Sequence, residues 1–169
     1  MTRVAAVVLA AGEASRFGSP KQRLLLPHVL DSLYDTSVDE IVVVEGAHPL
    51  DEVTGIRVVR CTDWARGPGA SLRCGLEALA EDVDAAVVVL ADGPKLSPEA
   101  VERVVDEWNR TGGIVAASYA GTRGHPLVLG RKDWTRMPVP DEGLRALPAR
   151  LVPCDDLGAP GDVDTPEDL

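Results

Sequence analysis

The amino-acid sequence predicts a three-layer α/β/α sandwich around a mostly parallel sheet. Short apolar runs rich in β-branched residues recur along the chain, and helical patterns separate them. Several of these runs are continuous rather than alternating, which is typical of strands covered on both faces. Alternating strands and helices indicate an α/β domain. The predicted strands are Val4–Leu9, Ile41–Val44, Ile56–Val59, Ala85–Leu90, Ile114–Ala117 and Leu127–Leu129.

Three helices are predicted between these strands. They are Leu25–Tyr34, Ser71–Leu79 and Pro98–Trp108. The third has the clearest beginning, because Ser97 is a good N-cap, Pro98 suits the first helical position and Glu99 follows in the first turn. After Tyr119, frequent glycine and proline residues break the alternation. We expect an antiparallel excursion and a lid in that part of the chain.

Length and composition limit the classes of protein to which the chain can belong. With 169 residues it is predicted to form one domain, residues 1–169, large enough to bury a substantial core. It contains no apolar run near the ~20 residues of a membrane span, so no membrane partner is expected. The net charge of −10 argues against nucleic acid as a partner. A nucleotide remains compatible, because local cations and a divalent metal neutralise a triphosphate.

The cysteines predict a reduced protein. Cys61, Cys74 and Cys154 are far apart in the sequence and odd in number, and they show no Cys-x-x-Cys spacing. Zinc is therefore not expected. We interpret the three residues as free thiols of a cytoplasmic protein.

Ligands of open α/β sheets bind beyond the carboxyl ends of the strands. The candidate loops are residues 10–21, 61–71 and 91–97. The first loop contains Gly12 and Gly18 together with Arg16 and Lys21, and it matches neither Gly-x-Gly-x-x-Gly nor a Walker A sequence. Backbone N–H groups and two cations suit a phosphate. A plain turn with solvated cations is an equally weighted alternative.

The remaining candidates are single polar residues at loop positions. Ser71 could contact a base or ribose, although capping the following helix is the more frequent role. Asp92 ends a buried strand where a metal-bound phosphate would lie, or it merely starts a turn. Asp164 belongs to an acidic C-terminal run that could supply a second Mg²⁺ ligand or form a solvated tail. His125, between glycine and proline, is more often structural or exposed than catalytic.

Taken together, these motifs resemble the molybdenum cofactor nucleotidylyltransferases and their wider nucleotidyltransferase family. The pattern Leu-Ala-Ala-Gly-x-x-x-Arg-x-Gly-x-x-Lys runs from Leu9 to Lys21, and Trp-x-x-Gly-x-x-x-Ser-Leu-x-x-Gly-Leu from Trp64 to Leu76. The other shared elements are Asp92-Gly93-Pro94, Gly124-His125-Pro126, Asp141-x-Gly143-x-Arg145 and the terminal 162–169. Their order matches the family over nearly the whole chain.

The resemblance implies a nucleotide-diphospho-sugar transferase-like fold of the GT-A or Rossmann-like type. It also implies transfer of a nucleoside monophosphate to a phosphorylated acceptor, molybdopterin by analogy, with release of pyrophosphate. The second alanine of the first motif and the Pro-Lys-Gln ending look like the cytidylyl-transferring branch, so CTP is expected rather than GTP. The implied residues are Arg16 and Lys21 for catalysis, Leu9, Ala10, Ala11, Gly12, Ser71 and Asp92 for the nucleotide, Asp92 and Asp164 for Mg²⁺, and His125 and Arg145 for the acceptor.

Two alternatives remain at this stage. The acceptor could be another phosphorylated molecule, such as a sugar 1-phosphate. The chain could instead be a nucleotide-binding accessory protein, because it departs from the family pattern directly after Lys21 and is short after Trp134. A cytoplasmic location and a molybdoenzyme or its chaperone as partner are further expectations of the resemblance.

Overall fold

The computed structural model describes residues 2–10, 21–46, 56–136 and 148–161. The strands are β1 Val4–Ala10, β2 Glu40–Glu45, β3 Arg57–Arg60, β4 Ala85–Leu90, β5 Ile114–Tyr119, β6 Thr122–Gly130 and β7 Arg150–Pro153. The helices are α1 Lys21–Tyr34, α2 Pro68–Glu77 and α3 Pro98–Thr111, and short 3-10 turns occupy Trp64–Arg66, Arg131–Arg136 and Asp155–Leu157.

The described strands form one sheet in the order β3-β2-β1-β4-β6-β5-β7. Strands β1 to β4 are mutually parallel, β6 is antiparallel to both of its neighbours, and β7 is parallel to β5. Every strand except β6 therefore ends at the same edge, which we call the carboxyl edge. Strand β6 begins there, so the turn between β5 and β6 also lies at this edge.

Apolar side chains pack on both faces of the sheet. Every residue of β1 is buried, as its continuous apolar sequence predicts. One face packs against α1 and α3, and the other packs against α2, where Leu72 and Leu76 contact the core. The predicted three-layer sandwich with a mostly parallel sheet is confirmed.

The structure confirms the six predicted strands and three predicted helices, and it adds detail at their ends. Strand β7 was not predicted, because its four residues carry little apolar periodicity and most are exposed. Ser97 is the N-cap residue of α3, but its side chain makes no capping hydrogen bond. Its carbonyl oxygen instead accepts the N–H groups of Ala100 and Val101.

The prediction of three free thiols is wrong. Cys61 and Cys74 form a disulfide, with their Cα atoms 5.8 Å apart, whereas Cys154 is a buried free thiol. Cys61 directly follows β3, and the chain then reverses through a short turn into α2, which carries Cys74. This reversal brings together two residues that are 13 positions apart. No helix in the described ranges combines the length and the apolar character that a membrane crossing requires.

Candidate functional site

Two of the candidate loops leave the carboxyl edge from neighbouring strands. Leu9 of β1 pairs with Leu90 of β4, and the Ala91 N–H donates a 3.0 Å hydrogen bond to the Leu9 carbonyl. Leu9 and Ala10 are the last two residues of β1, and both are buried at the carboxyl edge. The loop that begins after Ala10 therefore starts next to the loop that carries Asp92.

Asp92 lies two residues beyond β4 and is partly exposed. The turn around it is closed by a 3.2 Å hydrogen bond from the Gly93 N–H to the Leu90 carbonyl. A Cβ atom at Gly93 would lie 3.1 Å from Cβ of Pro160, so the missing side chain lets the C-terminal segment approach closely. The Lys95 N–H donates to the Pro160 carbonyl at 2.8 Å. The chain thus passes beside Asp92 just before the acidic residues that include Asp164.

Ser71 is buried at the start of α2, with only 4% of its surface exposed. The helix begins at Pro68 with Gly67 as its N-cap residue, so Ser71 is the fourth helical residue. The interpretation of Ser71 as the helix cap is therefore wrong. Because α2 begins after β3 at the carboxyl edge, Ser71 lies at the same edge of the sheet as Asp92.

His125 lies in a bulge of β6. Ala116 pairs with Leu127 and Ser118 pairs with Arg123, so Gly124, His125 and Pro126 stand opposite Ala117 alone. The peptide bond between His125 and Pro126 is cis. On the other side of β6, Leu127 pairs with Val88 of β4, which places the bulge beside the end of β4.

The edge also holds polar residues that sequence reasoning missed. Glu45 ends β2 and pairs with Ala10, so its carboxylate stands at the carboxyl edge. The signal that identified Asp92, a carboxylate at the end of an apolar run, was available for Glu45 as well. Tyr119 ends β5, and its hydroxyl donates a 2.7 Å hydrogen bond to the His125 carbonyl. Burial, and to a smaller extent the neighbouring Cys154, raises the pKa of Tyr119 to about 12.

The structure brings part of the predicted site together. Leu9, Ala10, Ser71, Asp92 and His125 all belong to elements that meet at the carboxyl edge. Lys21 begins α1, and only its backbone is described. The predicted residues Ala11, Gly12, Arg16, Arg145 and Asp164 lie outside the described residues.

The carboxylate of Asp92 at this edge is a ligand type that suits a hard cation. Asp92 lies beside the turn at Gly93, where the C-terminal segment around Pro160 approaches closely. In phosphate sites, Mg²⁺ is typically held by one or two carboxylates plus phosphate oxygens. Within the described ranges, no three His, Cys, Asp or Glu side chains cluster as a cage for a metal ion. Any cation at Asp92 would therefore depend on ligands from the substrate or from residues beyond those ranges.

Comparisons with known proteins found similar sequences and similar structures. The family model of the MobA-like NTP transferase domain matches residues 6–153. A probable molybdenum cofactor guanylyltransferase from Mycolicibacterium paratuberculosis is 31% identical over 140 residues, covering 78% of this chain and 71% of that protein. The bifunctional protein GlmU from Sorangium cellulosum is 28% identical over 149 residues, which are 77% of this chain. The match spans only 31% of the length of GlmU.

Among solved structures, Rv0371c from Mycobacterium tuberculosis superposes with a TM-score of 0.85 at 29% identity, covering 99% of this chain and 95% of Rv0371c. A complex of Rv0371c with manganese superposes with a TM-score of 0.75, again over 99% of this chain and over 93% of the solved one. The superposition on Rv0371c thus extends over essentially the whole chain.

Proposed function

Because the chain belongs to the MobA-like NTP transferase family, we propose that it transfers a nucleoside monophosphate from a nucleoside triphosphate to a phosphorylated acceptor. The proposed donor is CTP and the proposed acceptor is molybdopterin. One observation carries the proposal: Asp92, the backbone of Leu9 and Ala10, and the His125 bulge converge at the carboxyl edge of one sheet. This edge is where open α/β sheets bind their ligands.

The proposed reaction needs little acid–base chemistry. A terminal phosphate oxygen of the acceptor attacks the α-phosphorus of the triphosphate, the bond to the bridging oxygen breaks, and pyrophosphate leaves. The attacking oxygen is already anionic, so the protein contributes positioning and charge neutralisation. In this scheme the backbone from Leu9 to Gly12 holds the nucleotide, and Arg16 and Lys21 offset the charge on the phosphates. Ser71 borders the nucleotide from α2.

Asp92 and Asp164 are the residues that would hold Mg²⁺, which when bound would offset negative charge on the triphosphate. Two observations support this assignment. The C-terminal segment reaches position 161 against Gly93, directly before the acidic residues. The relative Rv0371c forms a complex with manganese, a divalent cation with similar ligand preferences.

His125 and Arg145 are proposed to bind the acceptor. The bulge at His125 stands next to β4 on the side away from β1, β2 and β3. A nucleotide held between the first loop and α2 would therefore have its α-phosphate near Asp92, with the acceptor entering from the His125 side. We further propose that the chain acts as one domain in the cytoplasm and passes its product to a molybdoenzyme or its chaperone.

The decisive test replaces Asp92 without altering its size. Asp92→Asn should lower the rate of pyrophosphate release by at least about a hundredfold, because an amide is a much weaker ligand than a carboxylate for the Mg²⁺ that would offset charge on the triphosphate. Asp82→Asn is the matched control, since Asp82 is an exposed carboxylate before β4, at the opposite edge. The melting temperature of both variants should stay near that of the wild type. Equal activity in the Asp92 and Asp82 variants would contradict the proposed site.

GTP is the second candidate donor, because the relative from Mycolicibacterium paratuberculosis is named a guanylyltransferase. A thermal-shift panel of the four nucleoside triphosphates with Mg²⁺ separates the two, since binding to the folded state raises the melting temperature. Pyrophosphate release with the selected triphosphate and an acceptor panel completes the assignment. Turnover with a sugar 1-phosphate alone would reassign the acceptor. Tight triphosphate binding without turnover on any acceptor would indicate an accessory protein.

A further inference from the structure

The His125 bulge leaves several backbone groups outside the regular strand ladder. Between the pairs Ala116–Leu127 and Ser118–Arg123, three residues of β6 face one residue of β5. Strand pairing alone therefore does not set the direction of the His125 side chain. Bulges of this kind are common next to active sites, where they redirect a side chain. Some other contact has to fix the conformation of this one.

Tyr119 touches two successive residues of the bulge. Its hydroxyl donates the 2.7 Å hydrogen bond to the His125 carbonyl, and its ring packs on the preceding Gly124. A Cβ atom at position 124 would lie 3.0 Å from Cε2 and 3.1 Å from Cδ2 of Tyr119. The ring therefore lies flush against the backbone of Gly124, and the hydroxyl reaches the next peptide group.

The end of β5 that carries Tyr119 is itself anchored on its other side. The Ala120 N–H donates to the Asp155 carboxylate at 2.6 Å, and the Cys154 N–H donates to the Ser118 carbonyl at 2.8 Å. Both contacts join β5 to the chain that follows β7. Because these contacts fix the end of β5, the contacts of Tyr119 hold the bulge in a fixed place relative to β5.

We propose that Tyr119 is a positioning residue that sets the orientation of His125 toward the acceptor. This inference rests on the proposed function, in which His125 binds the acceptor. Tyr119→Phe keeps the ring on Gly124 and removes only the hydrogen bond. The expected result is an increase of about tenfold in the KM for the acceptor, with the KM for the triphosphate unchanged.

The experiment measures pyrophosphate release as a function of each substrate in turn. Tyr34→Phe is the matched control, because Tyr34 is the other tyrosine of the chain, is 55% exposed and lies at the end of α1. Gly124→Ala is a second probe, since its methyl group would push against the ring, and it should also raise the acceptor KM. In a His125→Ala background, Tyr119→Phe should add no further loss, because the hydroxyl acts through His125.

Parallel changes in both KM values would overturn the proposal, as would an undiminished effect of Tyr119→Phe in the His125→Ala background. If the wild-type protein turns over no pair of triphosphate and acceptor, the proposed function fails, and the positioning role is then decided by NMR. The chain has three histidines, so the His125 imidazole signal is assignable from its loss in His125→Ala. Movement of that signal in Tyr119→Phe but not in Tyr34→Phe supports the role, and an unmoved signal rejects it.

Discussion

The two halves of the sheet fix their residues at the carboxyl edge in different ways. We call strands β1 to β4 with α2 the parallel half, and β5 to β7 the mixed half. In the parallel half, buried apolar residues hold β1, β2 and β4, and a disulfide joins the chain after β3 to α2. In the mixed half, the edge is held by separate polar contacts of partly exposed residues, such as those of Tyr119 and Asp155.

This contrast matters because stability and local geometry respond to different contacts. Buried packing is shared by the whole core, so damage to it lowers the free energy of unfolding. A single hydrogen bond at an exposed hairpin contributes little to that free energy, yet it sets the direction of one side chain. We therefore expect large losses of stability from substitutions of buried residues in the parallel half, and only small changes of stability from substitutions of the polar edge contacts in the mixed half.

The largest stability effect is expected from the disulfide. Cys61 and Cys74 close a loop of 13 residues in the unfolded chain, and reduction should lower the free energy of unfolding by about 3 kcal/mol through the entropy of that chain. Urea unfolding with and without dithiothreitol measures the difference. The variant Cys61→Ser/Cys74→Ser is the control, and its stability should not respond to reductant. A wild-type unfolding curve that is the same with and without dithiothreitol would contradict the expectation.

Gly75→Ala should be the next most damaging change. The added Cβ would lie 2.6 Å from Cγ1 of Val7 and 2.9 Å from Cγ2 of Val44, both fully buried on the sheet. Alanine gains about 1 kcal/mol of helix propensity over glycine, but overpacking of a core costs up to about 3 kcal/mol. We expect a net loss of about 2 kcal/mol by urea unfolding. Glu77→Ala, an exposed position on the same helix, should change stability by less than about 0.5 kcal/mol, and equal losses would refute the packing explanation.

The same contrast explains what the sequence could and could not predict. Strands β1 and β4 were predicted almost residue for residue, because burial on both faces requires a continuous apolar run. Strand β7 was missed, since only its pairing with β5 makes it a strand. The disulfide was missed for a related reason: the approach of Cys61 to Cys74 depends on how α2 folds back beside β3.

The residues of the candidate site also differ in whether local sequence or long-range contacts determine their placement. The position of Asp92 at the carboxyl edge was predicted, because it depends only on local sequence and chain order, whereas its role as a ligand-binding residue stays a prediction. His125 was identified through a motif, but the bulge that presents it depends on the register between two strands. The contact of Tyr119 with that bulge has no sequence signal, since either tyrosine of the chain could have lain at such a position. What remained hidden is therefore the set of long-range polar contacts.

Ala120→Gly tests the mixed half by removing strain. The turn Ala120–Gly121 joins β5 to β6, and its φ angles of 52° and 79° are both positive. Alanine pays a steric penalty of about 1–2 kcal/mol in this region, whereas glycine costs about 0.5–1 kcal/mol in chain entropy. We expect a gain of about 0.5 kcal/mol in urea unfolding. Thr122→Gly, at a neighbouring strand position, should instead destabilise the protein, and a gain there too would rule out relief of strain.

The smallest effect is expected from the ion pair that supports the turn after β7. Arg103 donates to both carboxylate oxygens of Asp156, at 2.9 and 3.1 Å, and this hydrogen bonding lowers the pKa of Asp156 below its ordinary value of 3.8. A carboxyl whose folded pKa is depressed stabilises the protein above the unfolded pKa, and that stability is lost as the pH falls through the folded pKa. The melting temperature of Asp156→Asn should therefore fall slightly below that of the wild type at neutral pH. The gap should close as the pH is lowered below 3.8. Because both side chains are partly exposed, about 1 M salt should also narrow the gap at neutral pH. A gap that widens in acid would show that Asp156 acts through something other than its charge.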